Sequence, residues 1–410
     1  MSDLRVQCCI AGGGPAGLVL GYLLARAGVQ VAVLEKHADF LRDFRGDTIH
    51  PSTLEVMREL GLVDAFLQLP HEKVSRLQAQ FGDQVYTVAD FSALPVGCRF
   101  IALMPQWDFL SFIAERAKPY PAFKLLMPAK AVGLIEEHGE IKGVKVETGG
   151  RVSSILADLV VAADGRHSDM RNAAGLTPQS FGAPMDVLWF RLSRRADDPA
   201  TTMGRIDRGR IFIQLNRGDY WQCAYVIPKG RAEAIKAAGL DPFWDALLAA
   251  EPAFASRRSE ITSVDDLKLL SVQIDRLPKW HRTGFLAIGD AAHAMSPVGG
   301  VGINLAIQDS VATANLLWQP LRSGTLTNAD LARVQARRNP PTRLTQRLQI
   351  TMQKAIIAPA LAGEDVIRAP MPVRLLDRIP WLRQFPARLI GLGFRPEHIS
   401  PALSRSFADG

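Results

Sequence analysis

The sequence predicts an α/β protein: a nucleotide-binding domain on a parallel sheet, a β-sheet domain interleaved with it in sequence, and a helical C-terminal segment. Three observations predict it. A glycine-rich turn near the N-terminus follows an apolar strand and opens a helix. Two later strands, more than 100 residues apart, run into Asp-Gly and Gly-Asp turns. Between those turns, residues 185–274 carry alternating apolar patterns and turn residues in place of helical periodicity. With 410 residues, 48% of them hydrophobic, the chain can bury a large core and exceeds the usual single-domain size.

The first element ends in Gly12-Gly13-Gly14-Pro15-Ala16-Gly17, a Gly12-x-Gly14-x-x-Gly17 spacing. The first glycine turns the backbone out of the strand, the second lets a pyrophosphate approach bare main chain, and the third lets helix and strand pack closely. The phosphates then face the N-terminus of a helix, with its unpaired N–H groups and positive dipole end. A second strand, 29–34, leads to Glu35, 18 residues beyond Gly17, where a carboxylate accepts hydrogen bonds from a ribose diol. Strand, helix, strand and acidic end in this order predict a Rossmann-like dinucleotide cradle.

Pro51-Ser52-Thr53-Leu54-Glu55 opens a helix with a capping-box pattern, Ser52 with Glu55, which stops at Gly61. Short strands follow over 77–91, then a helix after Gln106. Residues 131–136 and 143–147 read as a hairpin around His138-Gly139. The strand 157–163 runs into Asp164-Gly165 before another helix. In 185–274 the strands 210–215 and 220–227 are joined by the turn Asn216-Arg217-Gly218-Asp219, and one helix starts at Asp241-Pro242. The strand 284–288 then enters Gly289-Asp290, a Pro/Gly loop runs from Pro297 to Gly302, and a helix begins near Gly302.

This last block suits a flavin. Asp290 can hold the hydroxyls of a ribityl chain, and free N–H groups at the helix start can face the pyrimidine edge, where negative charge gathers on reduction. GGGPAG at the N-terminus, Ala163-Asp164-Gly165, and GDAAHAMSPVGGVGINLA at 289–306 together resemble the class A flavoprotein monooxygenases, the family of para-hydroxybenzoate hydroxylase. The resemblance covers about residues 5 to 340.

It implies a discontinuous FAD-binding domain at 1–76, 100–180 and 275–345, a substrate-binding β-sheet domain at 77–99 and 181–274, and a C-terminal helical segment at 346–410. It implies FAD as cofactor, NADPH or NADH as reductant, dioxygen as co-substrate, and hydroxylation of an aromatic or other hydrophobic substrate through a flavin C4a-hydroperoxide. The expected cofactor contacts are Gly12, Gly14, Pro15, Ala16, Gly17, Glu35, Lys36, Arg45, Gln106, Val132, Asp164, Asp290, Pro297, Gly300, Gly302, Ile303 and Asn304. Arg45 resembles the family's arginine near the cofactor, and Gln106 its FAD-contacting position.

Pro297 belongs to the dry wall expected beside the flavin, and His50, close in sequence to Arg45, is a candidate catalytic residue beside the simpler reading of a structural hydrogen-bonder. Tyr225-Val226-Ile227-Pro228 resembles half of the flavin-dependent halogenases' WxWxIP motif, with Cys223 and Tyr225 at its two tryptophan positions. That match selects the strand face bearing Trp221, Cys223 and Tyr225 as the expected substrate-pocket lining, with Tyr225 also a catalytic candidate; the alternative is that this face is sheet core.

The hydroxylase reading is preferred to a halogenase, to a prenyl-chain reductase of the same fold, and to a flavin-free Rab-escort-like binding module. The substrate is left open among phenols, quinolones, polyketides and ubiquinone precursors, and so is the oligomeric state.

A net charge of +7 reads as a solvated basic surface, with no basic run interleaved with aromatics to suggest nucleic acid. Four scattered cysteines, with Cys8 and Cys9 adjacent on a buried strand, fit a reducing cytoplasm, and no His or Cys cluster has metal-ligand spacing. Residues 6–25 carry no charge over 20 positions, but Gly12 to Pro15 interrupt them, so they read as neither a membrane span nor a signal peptide. The C-terminal prolines and arginines predict short amphipathic pieces packed on the body, with a membrane-surface contact or a lid over a hydrophobic tunnel as alternatives.

Overall fold

The computed structural model describes residues 4–41, 48–198, 202–363 and 368–407, and the structural statements below concern these. Its larger sheet has eight strands. The parallel core runs from Phe285–Ala287 through Arg151–Ala162, Leu4–Ala11 and Val31–Leu34 to Phe123–Leu126. Leu4–Ala11 lies in the middle, and Cys8, Cys9 and Ile10 are completely buried. A strand covered on both faces needs such a continuous apolar run. The helices Pro15–Arg26 and Gly302–Ser323 pack together, pinned where the Ser310 hydroxyl donates to the Ala16 carbonyl at 2.7 Å.

Arg151–Ala162 is long enough to leave the parallel core and pair antiparallel with Glu140–Thr148, which pairs in turn with Lys130–Glu137. Both turn residues of that hairpin, His138 and Gly139, have positive φ, 51° and 81°, as a tight hairpin matched to strand twist requires.

The second sheet has seven strands in the order Lys268–Leu270, Met185–Ser193, Tyr220–Pro228, Arg210–Asn216, Met203–Asp207, Arg76–Phe81 and Gln84–Asp90. One face is roofed by Ala232–Ala238, Leu240–Ala250 and the 3₁₀ turns of Pro252–Glu260, closing an apolar cluster around Phe190, Phe212, Trp221 and Trp244. Its other face meets Val298, Ile357 and Leu361, from the Pro/Gly loop and from the helical stretch after Met352. The predicted α/β architecture with a second, β-rich sheet is therefore the observed one.

One local reading needs correction. The helix at Pro51–Glu59 has His50 as its cap and no side-chain cap bond. Pro51 starts the helix one residue early, Ser52 is buried inside the first turn, and Glu55 binds Arg58 at 3.0 Å and the Gly97 N–H at 3.4 Å, so no capping box forms. The helix Asn328–Met352 spans position 345.

The tail beyond it folds as short pieces, Met371–Arg378, Pro380–Arg383, Gln384–Gly391 and Pro401–Ser406. Val373 packs on Phe81 of the second sheet, Ala387 joins Phe91 and Leu94, and Leu403 enters the main core. The tail thus ties the two sheets together.

Candidate functional site

The site lies at the carboxyl ends of the parallel strands, where open α/β sheets bind ligands. Gly12 leaves the first strand at φ +109°, and a Cβ there would lie 2.4 Å from the Ala163 carbonyl oxygen, so only glycine fits. Gly17 keeps helix and strand close, since a Cβ would sit 1.9 Å from the Gly12 carbonyl oxygen. Gly14 is different. Its φ of −76° and ψ of −175° suit any residue, and a Cβ would meet nothing within 4 Å. Its bareness serves no packing need and keeps space open at the start of Pro15–Arg26, a helix with no side-chain cap. An uncapped N-terminus behind a bare backbone fits a pyrophosphate.

Glu35 is buried at the end of its strand. Its carboxylate accepts the Gly13 N–H at 3.2 Å and the His37 N–H at 3.0 Å, which sets it beside the glycine turn, while Lys36 is exposed. The Glu35 carbonyl accepts the Ala129 N–H at 2.7 Å, and the chain continues to the exposed Val132. A cleft of about 360 Å³ opens beside these strand ends, lined by residues that include Phe40, Leu41, Trp107 and Met127. Gln106 is the first residue of the helix Gln106–Ala117. Arg45 lies outside the described residues.

Across the glycine turn, Asp164 spends its carboxylate on its own loop, accepting the Ser168 hydroxyl and, at 3.1 Å, the Met170 N–H. Burial raises its pKa, and those hydrogen bonds oppose the rise. Its neighbour Arg166, which sequence reading left without a role, reaches Asp290 at 3.3 Å and the Ser271 carbonyl at 3.3 Å. Asp290 keeps its carboxylate at the surface of the site, 30% exposed, while Gly289 beside it donates its N–H to Asp309 at 3.0 Å.

The loop from Pro297 to Gly302 is held from three sides. Gln349 grips the Ser296 and Val298 carbonyls, each at 2.9 Å, and Gln353 binds the Ser296 hydroxyl at 2.7 Å. Thr48 donates to the Gly300 carbonyl at 2.9 Å. Asn304, buried in the first turn of Gly302–Ser323, donates to the Thr48 and Gly300 carbonyls and accepts the His50 N–H and the Thr53 hydroxyl. The N–H groups of Gly302 and Ile303 stay at an uncapped helix start beside this loop, as an electron-rich flavin edge requires.

His50 is completely buried. Its Nδ1 lies 2.7 Å from the Ile390 carbonyl, which can only accept, so Nδ1 carries the proton and Nε2, with no partner, is a bare lone pair. Burial pushes its pKa down to about 4, so it is neutral at pH 7. It can accept a hydrogen bond there but cannot act as a general acid.

Behind the Gly289-Asp290 turn lies a buried ion cluster that the sequence did not announce. Asp309 contacts His293 at 2.6 Å and Arg338 at 3.0 Å, and Arg338 also binds Glu397 at 2.9 Å. Burial pushes the Asp309 pKa up, but His293 and Arg338 outweigh it and hold the carboxyl below its usual range. Partners 16 to 59 residues apart, all fully or almost fully buried, thus fix the flavin-side turn to two helices and the tail.

The Trp221, Cys223 and Tyr225 face is corrected. Trp221 and Cys223 are completely buried under the roof helices, the Trp221 indole N–H donates to Asp198 at 2.8 Å, and Tyr225 stacks edge-on against Phe243 at 5.9 Å. Strand alternation gave the two faces rightly, but the face toward the Pro/Gly loop is the opposite one, with Trp189, Ala224 and Val226. The expected role of Tyr225 goes with this correction.

Among the described residues no group of His, Cys, Asp and Glu could hold a metal, and no helix is long and apolar enough to cross a membrane.

The family described as FAD binding domain matches residues 5–347. The chain is 31% identical over 390 residues, 94% of its length and 92% of the relative's, to 6-methylpretetramide 4-monooxygenase of Streptomyces rimosus. Anhydrotetracycline hydroxylase OxyS, also of Streptomyces rimosus, superposes with a TM-score of 0.75 at 22% identity, over 95% of this chain and 76% of that one. The flavin-dependent brominase Bmp2 gives 0.76 at 17% identity, over 99% and 98%.

Proposed function

The chain belongs to the FAD-binding-domain family of flavoprotein monooxygenases, and on that premise we propose that it hydroxylates a polycyclic phenolic substrate with NADPH or NADH as reductant. The observation that carries the substrate class is the similarity, nearly end to end, to a monooxygenase of 6-methylpretetramide. The two structural likenesses speak for the fold alone.

FAD, when bound, supplies the redox chemistry that activates dioxygen. The chain's own residues do the rest. Gly14, Pro15 and Ala16 seat the pyrophosphate at the first helix, and Glu35 takes the ribose diol. Asp290, steadied by Arg166, takes the ribityl hydroxyls. The first-turn N–H groups of Gly302, Ile303 and Asn304 face the pyrimidine edge, and the pinned loop from Pro297 to Gly300 excludes water there. The substrate meets this loop at the side of the second sheet that carries the half-buried Trp189. His50 Nε2 accepts a hydrogen bond from a group at the site and fixes its orientation. The GxGxxG cradle at Gly12 to Gly17 is taken by FAD.

The brominase likeness does not favour a halogenase. Cys223 and Tyr225 stand where the halogenase motif has tryptophans, and this face is buried under helices.

The test is substrate-stimulated NADPH oxidation over a panel of aromatics. Stimulation by fused-ring phenols with hydroxylated product supports the reading. Stimulation only by single-ring phenols or by aliphatic substrates would refute the proposed substrate class.

A further inference from the structure

We propose that the segment 368–390 is a docking surface for an anionic phospholipid bilayer, contacting its interface without crossing it. The segment is three short helical pieces whose inner sides pack on the body: Ala369, Val373 and Ala387 are buried, and Arg383 turns inward to the Leu376 carbonyl at 2.9 Å, locking the pieces together. Its outward side is apolar. Met371 is 73% exposed, Leu375 44%, Trp381 61% and Phe385 60%, and the two aromatic rings rest against each other at 5.9 Å. A monomer in water gains nothing from a tryptophan and a phenylalanine exposed side by side, and such patches mark interaction surfaces.

Charge selects the occupant. The segment contains five arginines and one carboxylate, Asp377. Asp377, its side chain 38% exposed, is already engaged, accepting the Thr87 N–H at 3.0 Å and pairing with Arg383 at 3.5 Å. Arg368, Arg374, Arg378 and Arg388 are exposed and, among the described residues, make no ion pair or side-chain hydrogen bond. Four unpaired guanidinium groups around Met, Leu, Trp and Phe match a bilayer interface: the apolar groups enter the acyl boundary and the arginines stay with the phosphates. The surface also adjoins the site. Phe385 and Ile390, whose carbonyl holds His50, are five residues apart on one helix, about 8 Å.

The experiment is co-sedimentation of the FAD-loaded enzyme with vesicles of phosphatidylcholine alone and of phosphatidylcholine mixed with phosphatidylglycerol. Binding is expected to the mixed vesicles, weakening as salt rises. Trp381→Ser with Phe385→Ser should weaken it at least about tenfold, and Arg374→Gln or Arg378→Gln about fivefold each. Bound flavin and melting temperature should stay at the wild-type value, because none of these side chains touches the cradle. Equal binding to both vesicle types, or none to either, would overturn the proposal. So would a wild-type dimer in sedimentation velocity that Trp381→Ser with Phe385→Ser dissociates while vesicle binding is absent, which would make the patch a self-association surface.

Discussion

Substituting Gly12 and Gly14 separately distinguishes a glycine that the fold needs from one that the ligand needs. At Gly12 a Cβ would lie 2.4 Å from the Ala163 carbonyl oxygen, and φ is +109°. The strained backbone costs about 1–3 kcal/mol, and the overpacking about as much again. Gly12→Ala should therefore lose roughly 2–6 kcal/mol, a melting temperature lower by about 2–7 °C in a protein of this size. At Gly14 the backbone is ordinary and the Cβ position is open to 4 Å. Gly14→Val should leave the flavin-free protein within about 0.5 kcal/mol of wild type. Its isopropyl group would occupy the pyrophosphate seat and weaken FAD binding roughly ten- to hundredfold. The assay is a circular-dichroism melt of each apoprotein together with a fluorescence-quenching titration with FAD. Equal stability losses in the two variants, or wild-type FAD affinity in Gly14→Val, would refute the reasoning.

Asp309→Asn deprives Arg338 and His293 of their carboxylate partner in a dry site and should cost about 3–5 kcal/mol. Because the folded-state pKa of Asp309 is depressed, its contribution is present above the unfolded carboxylate range and lost as pH falls below it, so the variant should also have a shallower acid-unfolding limb. His50 is depressed to about 4 in the folded state, so the unfolded chain binds the extra proton between about 6.5 and 4, and stability should fall by up to about 1.4 kcal/mol per pH unit as pH drops through that window. His50→Gln should flatten this slope in urea titrations at stepped pH. Tyr225→Ala should destabilise the sheet and roof by about 2–4 kcal/mol with unchanged coupling of NADPH oxidation to product, whereas Val226→Ala should raise peroxide release, read by a peroxidase-linked assay. In native protein only Cys98 should react with a disulfide reagent, and slowly, since Cys8, Cys9 and Cys223 are buried with raised pKa values and burial raises that of Cys98 as well.

What the sequence made legible was local. The glycine spacing, the acidic strand end at Glu35, the Gly289-Asp290 turn and the helix start at Gly302 each declare themselves within a few residues, because strand periodicity and turn chemistry are short-range. What was not legible needed distance. Alternation along 220–227 defined two faces, but only the docking of the roof helices decided which was buried, and that depends on residues 232 to 260. Asp309, Arg338 and Glu397 are ordinary helix and tail residues until the fold buries them together. Gln349 and Gln353 gain their grip on the Pro/Gly loop in the same way. The capping box at Ser52 failed for a local reason, the start imposed by Pro51.

The central claim is that this chain inserts one atom of dioxygen into an aromatic substrate at the site between the Pro/Gly loop and the second sheet. The most direct measurement is turnover of a fused-ring phenol by the FAD-loaded enzyme under heavy-isotope dioxygen in ordinary water, with bromide and chloride present and product analysed by mass spectrometry. The account predicts a hydroxylated product carrying one heavy oxygen, and none when Asp290→Ala protein has lost its flavin. A product whose new oxygen comes from water, or one bearing halogen, would contradict it.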